Sequence, residues 1–158
     1  MKKMIIALLA LFIISSSLHA QDMPLISATN FKTITIGENM EVVLINAPGK
    51  QDDFKLNPLI SEKLDISIEN GRLTISNRFL HQKGIVYLMV DGLEKLVVGQ
   101  NSHIITHGIL QNTRLALYVS QGASAHIKSI GSINAFPTDE SEISVNKVVN
   151  KPVMQASF

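Results

Sequence analysis

The chain has 158 residues, no Cys and no Trp; 46% of its side chains are hydrophobic, 17% charged and 5% aromatic, and its formal net charge is +1. The hydrophobic share excludes a disordered chain, five Pro and nine Gly without a period of three exclude collagen, and the length suits about one domain. No block of like charge is present to wrap a polyphosphate, so no nucleic-acid partner is expected.

Lys2 and Lys3 open the chain, residues 4–14 are an unbroken apolar run, and Ser15, Ser16, Ser17, Leu18, His19 and Ala20 follow. A positive start, a short apolar stretch and a small-residue exit predict a secretory signal peptide over residues 1–20, cut between Ala20 and Gln21. The run is too short to span a bilayer, which takes about 20 apolar residues, and no Cys is available for a lipid, so no stable membrane anchor is expected. The expected location is the periplasm, the outer-membrane surface or the extracellular space. The mature chain would have 138 residues with 12 basic and 13 acidic side chains. Without disulfides, burial must hold it together, and this length suffices for one core.

Residues 21–30, polar and small with Pro24, read as a flexible leader. Residues 31–36 and 40–45 read as strands, with Gly37 between them and turn residues 46–49 after them. Residues 54–56 suggest a short strand, and Asn57-Pro58 a helix start of about two turns. Residues 65–69 and 72–76 alternate on either side of Asn70-Gly71, the preferred pair for a type I′ hairpin. Residues 85–90 are continuous enough to suggest a strand covered on both faces.

From Leu93 the texture changes to a recurring unit: a short apolar strand, a Gly or polar corner, a Ser, then an Ile. Gly99 to Gly122 is one step of 23, Ile127 to Ile143 one of 16. Strands this short bury their apolar sides only by stacking, and corners favour residues that tolerate left-handed backbone. The expected fold is all-β: a short right-handed β-helix with N-terminal hairpin strands, its domain running over residues 31–158. An antiparallel sandwich is the competing reading. Leu96, Val98, Leu117, Val119, Ile127 and Ile143 are expected to line one core, with Ser102, Ser124, His103 and His126 at or near the surface.

Three segments carry a resemblance. They are Phe31-Lys-Thr-Ile-Thr-Ile36 with Glu41-Val-Val-Leu44, then Leu64-Asp-Ile-Ser-Ile-Glu-Asn-Gly-Arg-Leu-Thr-Ile75, then Val86-Tyr-Leu-Met-Val90 with Leu93-Glu-Lys-Leu96 and Gly122-Ala-Ser124. In this order they are similar to the head GIN domain of autotransporter adhesins, common in exported proteins of Bacteroidetes. The resemblance covers roughly residues 31–130. It implies a right-handed β-helix of pectin-lyase-like type, without catalytic residues, and a role in cell adhesion. The chain departs from the pattern where Asp139-Glu-Ser141 replaces a Gly-x-Ser corner, and its repeat array is short.

Candidate chemistry is sparse. With a 23-residue step His103 would stack over His126, and His107 could join them around a metal; a solvent-facing polar ladder is the simpler reading. Asp139, Glu140 and Glu142 cluster, as do Asp52 and Asp53, but nothing fixes them across a cleft as glycoside hydrolysis needs, and calcium would need a D-x-D-x-D-G loop. Ser124 and His126 share a strand face without a nearby Asp, and Gly122-Ala-Ser124-Ala is not a nucleophile elbow. Tyr87 and Tyr118 sit inside apolar strands. Phe158 ends the chain as an outer-membrane barrel strand can, but such strands run about 9–11 residues. No catalytic, cofactor or metal site is predicted. The expected function is an exported non-catalytic binding or structural module with a cell-surface or carbohydrate ligand; the alternatives are a polysaccharide-acting enzyme on a β-helix scaffold or a small outer-membrane β-barrel.

Overall fold

The computed structural model describes residues 24–50 and 62–148. They form the strands β1 (Leu25–Ser27), β2 (Thr33–Ile36), β3 (Met40–Asn46), β4 (Leu64–Glu69), β5 (Arg72–Asn77), β6 (Gly84–Val90), β7 (Lys95–Val98), β8 (His103–His107), β9 (Arg114–Val119), β10 (Ser124–Ser129), β11 (Ser132–Pro137) and β12 (Glu142–Lys147). No helix among the described residues is long and apolar enough to cross a membrane. A first sheet has the order β1-β6-β3-β8-β10-β12 and a second the order β11-β9-β7-β2-β5-β4. Every pairing among the described strands is parallel except the β4–β5 hairpin. The chain is therefore all-β with two mostly parallel sheets, and the antiparallel meanders of a sandwich or an outer-membrane barrel are absent from the described residues.

Alternation decides which side chains enter the core, since successive residues of a strand face opposite ways. Parallel register then lines like with like. In the first sheet Val86, Val42, Ile104, Ala125 and Ile143 form one inward row across five strands. In the second, Leu73, Ile34, Leu96, Leu117 and Ala135 form another, beside Ile66, Ile75, Ile36, Val98, Val119 and Pro137. The two inner faces merge into one hydrophobic core. Leu96, Val98, Leu117, Val119 and Ile127 are buried as expected, and Ile143 packs against the core half-buried. The rows thin out at β11 and β12, where Val145, in register with buried Ile127, is 43% exposed.

Four of the five corners that lead from the second sheet to the first share one device, the β5–β6 connection being the exception. Asn39 (φ 55°) lies between β2 and β3, Asn101 (φ 55°) between β7 and β8, Gly122 (φ 68°) between β9 and β10, and Glu140 (φ 60°) between β11 and β12. Backbone amides run from one corner to the next: Asn39 N–H to the Gln100 carbonyl, Asn101 N–H to that of Gln121, Gly122 N–H to that of Glu140. Left-handed backbone is easy for Gly and tolerable for Asn, which is why those types dominate the column. Gly99, expected as such a corner, serves differently. A Cβ there would lie 2.5 Å from the Gly37 carbonyl oxygen, so its role is close backbone approach.

Several expectations are corrected. Residues 25–27 of the leader are strand β1, parallel to β6, with Ile26 and Ala28 fully buried. Strand β6 is covered on one face only: Ile85 is exposed and Tyr87 and Met89 half-exposed. The spacings are 21 residues from β7 to β9 and from β8 to β10, then 18 to β11 and β12, so the 23- and 16-residue steps misalign the strands. Strand order is sequential only from β7 onward; β6 lies between β1 and β3, and β2 between β7 and β5. Ser102 is fully buried, because its hydroxyl donates to the Gly37 carbonyl at 2.8 Å and accepts the Met40 amide at 2.9 Å. The Asn70-Gly71 hairpin forms as read, with φ of 50° and 73°. The strand at 54–56 and the Asn57-Pro58 helix start lie outside the described residues, and β4 begins at Leu64.

Two variants test this architecture. Leu117→Ala removes a fully buried side chain and is expected to cost about 2–5 kcal/mol, whereas His126→Ala on an exposed position should stay within about 0.5 kcal/mol; denaturant melts compare them. Gly122→Val places a β-branched residue at positive φ, with its Cβ 2.5 Å from the Asn101 side-chain oxygen, and should lower stability by about 1–2 kcal/mol or more.

Candidate functional site

His103, His107 and His126 project from the outer face of the first sheet. Register pairs His103 with Ser124, and His126 with Ile105, so His126 does not stack over His103 and the imidazoles do not converge. No group of three or more potential metal ligands occurs among the described residues. Instead His103 Nδ1 and Ser124 Oγ lie 2.7 Å apart across neighbouring strands, a pairing that the in-strand spacing of Ser124 and His126 could not reveal. Glu41 flanks His103 on its other side, but its carboxylate binds Lys83 at 3.0 Å. The half-buried Ser–His pair thus lacks an acid to orient the imidazole, and it sits on an open sheet face. Acyl transfer needs that orientation together with preorganised oxyanion donors.

The carboxylates fare no better as catalysts. Asp139, Glu140 and Glu142 are exposed around the β11–β12 turn, with Glu140 accepting from Gln121 at 2.8 Å. None of them lines either of the two grooves described next. Asp52, Asp53 and Phe158, like the Ala20–Gln21 junction, lie outside the described residues.

The smaller groove, about 270 Å³, runs along the β4–β5 hairpin, and its Arg78 and Asp65 neutralise each other at 2.6 Å. The larger, about 590 Å³, lies on the outer face of the second sheet. Alternation along β9 turns Leu115, Leu117 and Val119 inward and leaves Arg114, Ala116 and Tyr118 facing out. Ala116 makes the floor, because its small side chain stands between Lys95 on β7 and Asn134 on β11. Lys32, Glu94 and Thr113 close one end.

At the other end lies an aromatic platform. Tyr118 and Phe136 are cross-strand partners. Strands sit about 4.8 Å apart, and in-register rings on parallel strands stack at that spacing: the centroids are 4.7 Å apart and the planes 13° from parallel. Lys95 Nζ lies 4.8 Å from the Tyr118 centroid, a cation–π contact. Phe136 remains 48% exposed and Tyr118 37%. Tyr118 is therefore not enclosed in its strand as the sequence reading placed it. Phe136 and Arg114 lie outside every motif read from the sequence, and Lys32 and Lys95 lie in segments read only for their strand pattern; the available signal for the groove is the alternation Arg114, Ala116, Tyr118.

Comparison with protein-family models, with curated proteins and with solved structures finds no match for this chain. The groove's own chemistry is then the guide. Phe136 covers one face of the Tyr118 ring and Lys95 the other, so the free ring face is that of Phe136 toward the open edge of the sheet, with the edge of Tyr118 and the Arg114, Asn134, Glu94 and Thr113 side chains beside it. That combination suits a ligand with one apolar, C–H-bearing side and a polar periphery. The Ser124–His103 pair, by contrast, is expected to react with a fluorophosphonate no faster than a surface serine does; labelling followed by mass spectrometry checks this, and Ser124→Ala supplies the blank.

Proposed function

We propose that this chain is an exported, non-catalytic binding module of the cell envelope, related to adhesion, and that its ligand is a saccharide seated on the free face of Phe136 beside the edge of Tyr118. The stacked, exposed aromatic pair carries the reading. A pyranose has a C–H face that packs on an aromatic ring and a rim of hydroxyls that the groove's polar side chains would meet. A flat open face is suited to a polymer or a cell surface, which cannot enter a closed pocket.

Export rests on the Lys2-Lys3 start, the apolar run and Ala20, with Gln21 as the mature N-terminus. The finer fold belongs to the same proposal: a short right-handed β-helix of the GIN type. It is supported by the alternation of strands between the two sheets, the 21- and 18-residue offsets and the three segments similar to the GIN pattern. The hairpin and the non-sequential β1–β6 region would then close its N-terminal end.

The mature protein, screened by affinity electrophoresis against immobilised polysaccharides, is expected to be retarded by at least one of them. The double variant Tyr118→Ala with Phe136→Ala should weaken that retention at least tenfold, which corresponds to about 1.4 kcal/mol, while its melting behaviour stays close to the parent because both side chains are on the outer face. Unchanged retention in the double variant would remove the platform from the function. Intact mass of the protein secreted by its host tests export; a product that keeps residues 1–20 argues against it.

A further inference from the structure

We infer that the saccharide is acidic and oligomeric, with one sugar ring on Phe136 beside Tyr118 and a carboxylate or phosphate of another unit at Arg114 and Lys32. This rests on the saccharide reading above and adds to it the ligand's charge and length. The described residues carry ten basic and ten acidic side chains and so balance as a whole. The groove does not. Lys32 and Arg114 line it, Lys95 stands beside its floor and over Tyr118, and Glu94 is the one carboxylate of its lining.

These cations are not consumed by internal pairs. The ion pairs among the described residues are Arg78–Asp65 and Lys83–Glu41, both elsewhere. Lys32 Nζ donates to the Asp91 carbonyl at 3.0 Å, which holds the ammonium at the rim beside Gly92; the Asp91 carboxylate is itself turned to the Gly49 amide at 3.1 Å. Three positive charges around one shallow groove repel one another, and an entering anion relieves that repulsion. A guanidinium's planar fork also matches carboxylate and phosphate oxygens two at a time.

Length follows from the strand. Arg114 and Tyr118 are four residues apart on β9 and face the same way. At about 3.3 Å per residue their Cα atoms are roughly 13 Å apart, more than one sugar ring spans. A monosaccharide at the aromatic pair would therefore meet Lys95 but not Arg114 and Lys32 as well.

The test uses matched polymers differing in charge: polygalacturonate against its full methyl ester, and phosphomannan against enzymatically dephosphorylated mannan, with polyglutamate as an anion lacking a sugar ring. Affinity of the mature protein for the acidic member of at least one pair is expected to exceed that for its neutral partner tenfold or more; the pair that responds identifies the anion as carboxylate or phosphate. The preference should shrink as salt rises from 50 to 300 mM. Arg114→Gln with Lys32→Gln should abolish the preference and leave the weaker neutral binding, whereas Arg72→Gln, a cation of the same sheet outside the groove, should change nothing. Trimers should compete at least tenfold better than monomers. Equal affinity for charged and neutral members, or equal competition by monomer and trimer, overturns this inference and leaves the saccharide reading standing. Equal binding of polyglutamate overturns it too, by removing the ring from recognition. Failure of every polysaccharide to bind overturns both.

Discussion

Lateral coverage of inward side chains by in-register parallel neighbours is the constraint on which the rest of this structure depends. A strand of four to six residues presents two or three apolar side chains inward, too few to form a core. Parallel pairing solves this by repetition. Ile34 is flanked by Leu73 and Leu96, Leu96 in turn by Leu117, and each is fully buried. Fully burying such a side chain is worth about 1.5–3 kcal/mol, so the rows together supply the stability that disulfides cannot supply in a chain without Cys. The final strands lie outside this mutual coverage on one side, and their inward residues Val145 and Ala135 are accordingly exposed.

Register fixes the corners as well as the rows. The left-handed positions at Asn39, Asn101, Gly122 and Glu140 fall in a column because the strands they join are in register. Their backbone groups then find partners in the next corner. Beneath the column, Ser102 replaces an apolar residue and satisfies the Gly37 carbonyl and the Met40 amide. A polar side chain is tolerated there because both of its hydrogen-bonding roles are filled.

The same alternation that builds the core decides what reaches solvent, and the two outer faces differ. The first sheet shows Leu25, Ile85 and Ile105 among histidines, serines and charged residues, with His103 against Ser124 and the neighbouring Glu41 carboxylate held by Lys83. The second sheet gathers two stacked rings and unpaired cations around a small-residue floor. Exposed aromatic and cationic side chains gather on that second face, where Ala116 leaves room and Tyr118 and Phe136 stay accessible.

Much was legible along the chain. Alternation over residues 65–76 around Asn70-Gly71 determined the hairpin, because an I′ turn needs two residues that accept positive φ in succession. Apolar periodicity determined that Leu96, Val98, Leu117, Val119 and Ile127 face inward, since a strand allows only two directions. Short strands between Gly, Asn and Ser corners pointed to all-β stacking. Register was not legible: a 23-residue step aligns Gly99 with Gly122 by residue type, but the strands pair at 21, and only packing against a neighbour distinguishes the two. For the same reason the sequence could not place His103 beside Ser124, bury Ser102 under a corner, or recruit Leu25–Ser27 to β6. The groove was the least visible, because Lys32, Lys95, the β9 pair Arg114 and Tyr118, and Phe136 come from four separate segments and share no motif. Composition and periodicity along the chain determine which side of a strand each residue takes; tertiary pairing alone decides which residues become neighbours, because that depends on the lateral fit of strands distant in sequence.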